Sequence, residues 1–392
     1  MQTTIDMTQN IDFEEIRPYN NNEYREKVAL LIQEPDFKKV IATVMPEVDF
    51  DMFGKMLLSI NTIDEFQKQI IAPFVQKLII QTTNGLVTTG IEHISHDKNY
   101  TFMSNHRDIV LDASFLCYDL LKQGYNTCEI AIGSNLLIYQ WIRDLVRINK
   151  SFIVKRGVGV RQALDAAMQL SAYIHYAINQ KHQSVWIAQR EGRAKDSNDR
   201  TQEALIKMLT LGKKDSLLDS IRQLNIAPVT ISYEYDPCDS LKAYEFLQKS
   251  KNPDFKKSQS DDLVNMQTGI MGYKGIVNYS FTPCINDELS HLEGETDKAT
   301  ILQAVCHIID QHIHLNYRIY PGNYIAYDAL YDCTRFADRY TVEQKENFEK
   351  YIQGQIAKIG EFSIEDYQFM HEKILLMYSN PLKNQLEAQK NV

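Results

Sequence analysis

What this chain of 392 residues does without narrows its character first. Its six cysteines, Cys117, Cys128, Cys238, Cys284, Cys306 and Cys333, stand singly, with no CxxC pair and no dense framework. That argues against a disulfide scaffold and a zinc–thiolate centre, and scattered reduced thiols fit a cytosolic setting. No window reaches the roughly 18 to 20 uninterrupted apolar residues that a bilayer-spanning helix needs, and the dense stretch "SNLLIYQWI" is about half that. Cations are in the minority, 42 Lys and Arg against 51 Asp and Glu for a net charge of -9. A phosphate-tracking surface needs clustered cations, so nucleic acid is not an expected partner. One basic run stands out, Arg143, Arg147, Lys150, Lys155, Arg156 and Arg161 against Asp144 alone. The opening "MQTTIDMTQNIDFEEIRPYNNNEYREK" is polar and acidic and lacks the basic and apolar regions of a secretion signal. The chain is therefore expected inside the cell.

What is present is enough for a large folded domain with helical additions: 44% of residues are hydrophobic and 24% charged. From 23 to 90 apolar residues recur at spacings of three and four, punctuated by Pro46 and Gly85, which predicts helices. After about 91 short β-rich runs alternate with helical ones: "NYTFMS", "CEIAIG", "SFIVKR", "SVWIAQ", "IAPVTISY" and "KGIVNYSF". Such alternation predicts an α/β fold, a mostly parallel sheet with helices on its faces. Residues 254–268 are polar and read as an excursion between elements, and helical periodicity returns after about 295. The expected organisation is a helical segment 1–90, an α/β domain 91–295 and a helical segment 296–392.

Four stretches, each at a predicted strand or strand end, carry possible chemistry. They are Asn105-His106 followed by Asp112; "SFIVKRG", residues 151–157; "WIAQREGRAKD", residues 186–196; and "IAPVTISYEYDP", residues 226–237. Open α/β sheets carry their sites at strand ends. Taken singly, a histidine beside apolar runs is usually structural and a charged loop is usually solvated. Their order is more informative than any one of them. It resembles the glycerolipid acyltransferase superfamily, which acylates glycerol 3-phosphate or lysophosphatidate and whose blocks read N-H-x4-D, F-[IV]-x-R, an E-G-x-R-S type stretch and a Pro-led strand. The resemblance spans roughly residues 98 to 285. Two departures are plain: five residues separate His106 from Asp112, and Arg193 follows Gly192 directly.

A six-residue step turns about 600° in a helix, so His106 and Asp112 cannot share one helical face and His106 belongs in the loop before it. Asp108 is then expected to cap "IVLDASFLCYDLL", and Asp112 to turn back onto the imidazole; the opposite assignment, Asp108 on His106, stays open. Transfer of an acyl group from a thioester to an alcohol needs a base for the hydroxyl proton, the role expected of His106, with a carboxylate fixing its tautomer. No enzyme nucleophile and no cofactor are required beyond the acyl carrier, coenzyme A or acyl carrier protein. The resemblance implies that Arg156, Glu191, Gly192 and Arg193 bind the polar head of the acceptor, with Asn105, Lys155, Arg190 and Lys195 beside them and Pro228 shaping the closing strand.

The expected activity is acylation of 1-acylglycerol 3-phosphate at the inner membrane face, from the cytoplasm. Glycerol 3-phosphate is the second acceptor and an aminolipid the third, while a catalytically silent lipid-binding scaffold of the same fold is the non-enzyme alternative. Membrane association without insertion is expected from the basic run. The helix "NLLIYQWIRDLVRIN" serves either core packing or a membrane surface. "GVGVRQA" is no dinucleotide loop, because Gln162 stands where the third glycine belongs. His307, His312 and His314 are not spaced to set three metal ligands on one helical face.

Overall fold

The computed structural model describes residues 11–212 and 215–391; the first ten residues of the acidic opening stretch lie outside them. Among the described residues five α-helices come first, α1 (Asn21–Leu31), α2 (Pro35–Val44), α3 (Phe50–Ser59), α4 (Ile63–Phe66) and α5 (Ala72–Thr82), the last two joined by a π-helical turn, Gln67–Ile71. Asn20 and Thr62 start α1 and α4 with capping boxes, each side chain taking an orphan amide of the first turn.

Seven strands follow: β1 (Gly85–Thr89), β2 (Thr101–Ser104), β3 (Glu129–Gly133), β4 (Ser151–Val154), β5 (Val185–Ala188), β6 (Ile226–Tyr233) and β7 (Ile276–Phe281). They form one sheet in the order β1-β7-β6-β2-β5-β3-β4. Only the β6–β7 pair is antiparallel, so β6, β2, β5, β3 and β4 point the same way and β1 and β7 run against them. This is the mostly parallel α/β sheet that the alternating pattern predicts. Strand β1 corrects the reading of 23–90 as wholly helical: "GLVTT" pairs with β7 from Gly85↔Ile276 to Thr89↔Ser280. A five-residue edge strand shows no periodicity of its own, and a partner 191 positions away in sequence supplies what holds it.

The connecting helices are α6 (Leu111–Lys122), α7 (Gln140–Ile148), α8 (Val160–Asn179), α9 (Glu203–Leu209), α10 (Leu217–Arg222), α11 (Asp239–Lys251) and α12 (Gln259–Met271). Helix α12 replaces the expected excursion at 254–268. Its polar start is a capping box, Ser258 with Asp261, rather than a loop. Helices α13 (Lys298–Leu315), α14 (Pro321–Leu330), α15 (Val342–Ala357) and α16 (Ile364–Ala388) complete the chain.

Two apolar layers cover the sheet. One joins Met103, Phe152, Ile187 and Ile226 to α8 and α13, and the other joins Phe102, Trp186, Val229 and Tyr279 to α5 and α6. Removing apolar surface from water at about 25 cal/mol per Å² is what holds such layers together. Helix α7 turns its apolar face inward: Trp141 and Leu145 pack on the cluster of Tyr24, Phe37 and Phe53 from the first helices. This helix therefore packs on the core through that face. Part of the basic run is engaged by neighbours in the fold, and Arg147 is buried. Arg147 donates to the carbonyls of Arg17 and Glu14 at 2.8 and 2.7 Å, Lys150 pairs with Asp64 at 2.7 Å and Lys155 with Glu15 at 2.6 Å. These three of the run's six cations thus have partners within the fold, and Arg161 stays exposed.

Candidate active site

All five co-directional strands end on one edge of the sheet, and the four sequence blocks lie there. At the end of β2 the chain leaves the sheet as Asn105-His106 and enters α6 at Leu111. Asn105 is buried and clamps this exit to β6: its amide donates to the Ile231 carbonyl at 2.9 Å and its oxygen accepts from the Ile231 N–H at 2.8 Å. That fixes where the histidine starts.

His106 Nδ1 lies 2.8 Å from Asp112 Oδ2, so Asp112, on the first turn of α6, is the carboxylate that meets the imidazole. The same oxygen accepts the N–H groups of Arg107 at 2.6 Å and Asp108 at 3.0 Å. The loop is thereby wound around one carboxylate, and the extra residue between His106 and Asp112 is absorbed in that winding. Asp108 has the other task, with a shift in register. Its Oδ1 accepts the N–H groups of Val110 and Leu111, both at 2.8 Å, yet the N-cap position belongs to Val110. The carboxylate therefore reaches over the start of the helix from two residues before the cap. Burial first, and the neighbouring Asp112 charge second, push the Asp108 carboxyl above its ordinary range.

The imidazole is largely covered, and the edge of its ring system meets Trp186 of β5 at 5.7 Å between centroids. Trp186 Nε1 donates to Ser104 Oγ at 3.0 Å, which holds the indole in place. Nδ1 is thereby committed to Asp112.

After β4, Arg156 pairs with Glu191 at 2.6 Å and takes its own N–H to Ser134 Oγ at 2.9 Å. Two blocks are joined by that ion pair. Gly192, at φ 68°, turns the chain between Glu191 and Arg193 in a conformation that suits glycine. Arg193 Nη2 donates to Asn265 Oδ1 of α12 at 3.0 Å, while its Nη1, like Arg190 Nε, is buried without a partner among the described residues. Lys195 pairs instead with the buried Glu245 of α11, and Lys155 with Glu15. Both lysines thus have carboxylate partners within the fold. Pro228 sits inside β6, its carbonyl accepting from Thr282 N and Oγ1 at 3.1 and 2.8 Å, and shapes the strand at a distance from the histidine.

Several contacts have no signal in the sequence. Tyr233, at the end of β6, donates to Asp112 Oδ1 at 3.2 Å, and Tyr279 of β7 donates to the Asp112 carbonyl at 2.8 Å. Arg107 is buried against Asp199 at 2.5 Å, and Tyr317 donates to the same oxygen at 2.6 Å. The three histidines of α13 go separate ways: His312 meets Glu288, His314 meets the Asp199 carbonyl and His307 meets Gln311.

Residues 86–232 match the family model described as Acyltransferase. A solved structure titled 1-acyl-sn-glycerophosphate (LPA) acyltransferase, PlsC, from Thermotoga maritima aligns at a TM-score of 0.35 and 12% identity, over 75% of this chain and 96% of that one. No curated protein matches.

Proposed function

We propose that this chain is an acyltransferase, as the match of residues 86–232 supports, and that it moves a long-chain acyl group from a thioester carrier to a hydroxyl of 1-acylglycerol 3-phosphate, with His106 as general base. The 2.8 Å contact between His106 Nδ1 and Asp112 carries this reading. Nε2 takes the proton of the acceptor hydroxyl as its oxygen attacks the thioester carbonyl. The carbon–oxygen bond forms, the tetrahedral intermediate collapses, the carbon–sulfur bond breaks, and the imidazolium returns the proton to the leaving thiolate. Asp112 holds the tautomer that leaves Nε2 unprotonated and supports the positive ring that follows.

The unpartnered Arg193 Nη1 and Arg190 Nε support an anionic acceptor head, since buried guanidinium donors left unmatched are costly until an acceptor arrives. A lipid acceptor places the enzyme at a lipid surface. Support there comes from the outer faces of α2 and α3, where Val40, Met52 and Met56 are exposed among Lys38, Lys39 and Lys55.

The test is transfer of a labelled acyl group by purified protein, from coenzyme A or acyl carrier protein, to 1-acylglycerol 3-phosphate, glycerol 3-phosphate and an aminolipid side by side. His106→Ala is expected to cost about 10²- to 10⁴-fold. Wild-type turnover in that variant would end the general-base reading, and a preference for the aminolipid would end the phosphate one.

A further inference from the structure

We infer that Tyr233 is a positioning residue for acyl transfer, aiming the Asp112 carboxylate at His106 through its phenolic hydrogen bond; this rests on the general-base reading above. The two oxygens of Asp112 are served unequally. Oδ2 accepts from His106 Nδ1, Arg107 N and Asp108 N, three donors that all belong to the loop between β2 and α6. Oδ1 accepts from Tyr233 Oη at 3.2 Å, a donor that belongs to the sheet. A carboxylate free to rotate about its Cβ–Cγ bond would exchange its oxygens and carry the imidazole with it. The phenol stops that rotation by anchoring the second oxygen to a strand.

The anchor is rigid at its root. Tyr233 is buried at the end of β6, where Ser232 and Tyr233 pair with Asn278 and Val277 of β7. Burial, with Tyr279 and Asp112 beside it, holds the phenol far above its ordinary titration range, so the hydroxyl remains a donor. From β7, Tyr279 pins the backbone of the same aspartate. One tyrosine thus fixes where Asp112 is and the other which way its carboxylate faces. The two come from 121 and 167 residues away in sequence.

Tyr233→Phe keeps the ring and removes the donor. A hydrogen bond to a charged group contributes about 1.5 to 3 kcal/mol, so kcat is expected to fall roughly 10- to 100-fold, with the KM of both substrates within about twofold. A carboxylate relieved of a donor pulls harder on the imidazolium, so the acid limb of the kcat/KM profile should move to higher pH. Incorporation of 3-fluorotyrosine at 233, which restores the hydroxyl, should recover most of the rate, and it tests the contact even where the phenylalanine variant fails to fold. In a His106→Ala background the phenylalanine change should cost nothing further. Unchanged kcat and pH profile in a folded Tyr233→Phe protein overturn the inference, as does an equal loss in both backgrounds. If His106→Ala itself turns over normally, the general-base reading has failed first, whatever Tyr233 does.

Discussion

Two aspartates four residues apart have been given opposite chemistry by their surroundings. Asp112 touches the imidazole and is replete with donors, whereas Asp108 spends its carboxylate on two amides at the mouth of α6. Asp112→Asn should therefore abolish most transfer, because an amide presents the imidazole with the wrong pattern of donor and acceptor, and some stability goes with it, since donors meet both carboxylate oxygens. Asp108→Ala should show itself mainly in stability, about 0.5 to 2 kcal/mol by denaturant titration. Exchanged phenotypes would reverse the assignment. At the headgroup, Arg193→Ala should raise the acceptor KM roughly 10- to 100-fold and leave the thioester KM alone, since a charge-assisted bond contributes about 1.5 to 3 kcal/mol. Lysine at 193 should rescue it only in part, because an ammonium lacks the planar fork. Comparing phosphorylated with dephosphorylated acceptor decides the matter: equal losses on both would show that the arginine holds something else.

Helix α12 is the element that brings two of these loops to a common support. Asn265 holds Arg193, and its carbonyl accepts from the Cys238 thiol at 3.4 Å. One turn further along, a Cβ built on Gly269 would lie 1.9 Å from Asp108 Oδ2. Glycine there is a matter of space: the helix closes on the loop between β2 and α6 at a distance no side chain permits. Gly269→Ala must push either the helix or Asp108 aside, and the carboxylate is already tied to two amides. A loop pushed aside as a body carries His106 with it, and misplacement of about 1 Å at a reacting group can cost 10²-fold. The expected result is a loss of kcat of at least about tenfold with helix content preserved by circular dichroism. Wild-type kcat would mean that the loop tolerates displacement.

At the scale of the whole molecule, the C-terminal helices close onto the α/β layer through a buried carboxylate. Asp239, at the start of α11, accepts from Tyr351 of α15 at 2.8 Å, Tyr378 of α16 at 2.9 Å and Gln355 of α15 at 2.9 Å. Burial, then the charge of Asp236, pushes its carboxyl up to about 7. A folded-state value above the unfolded one gives stability that is fully present below the ordinary carboxylate range and is lost as pH rises through about 7. Asp239→Asn keeps the shape and cannot ionise. Its melting temperature should gain on the wild type between pH 5 and 8, and parallel pH curves for the two proteins would remove Asp239 as the source.

The sequence by itself determined the alternation that makes an α/β sheet, the helical ends, and the four blocks whose order singled out His106. These are local properties: periodicity, caps and short motifs are written within a few residues of where they act. It also favoured Asp112 over Asp108, because six residues of helix cannot bring a histidine and an aspartate onto one face. Only the tertiary structure decided what reaches across. Tyr233 on Asp112, Asn265 on Arg193 and Gly269 against Asp108 join positions far apart in the chain, and no spacing announces them. Edge strand β1 needed β7 before it could be a strand, and α12 hid behind a polar first turn. The basic run shows the limit most clearly. Composition counts charges, but which of them face solvent is settled by the partners that folding brings, here Glu15, Asp64 and the carbonyls of Glu14 and Arg17.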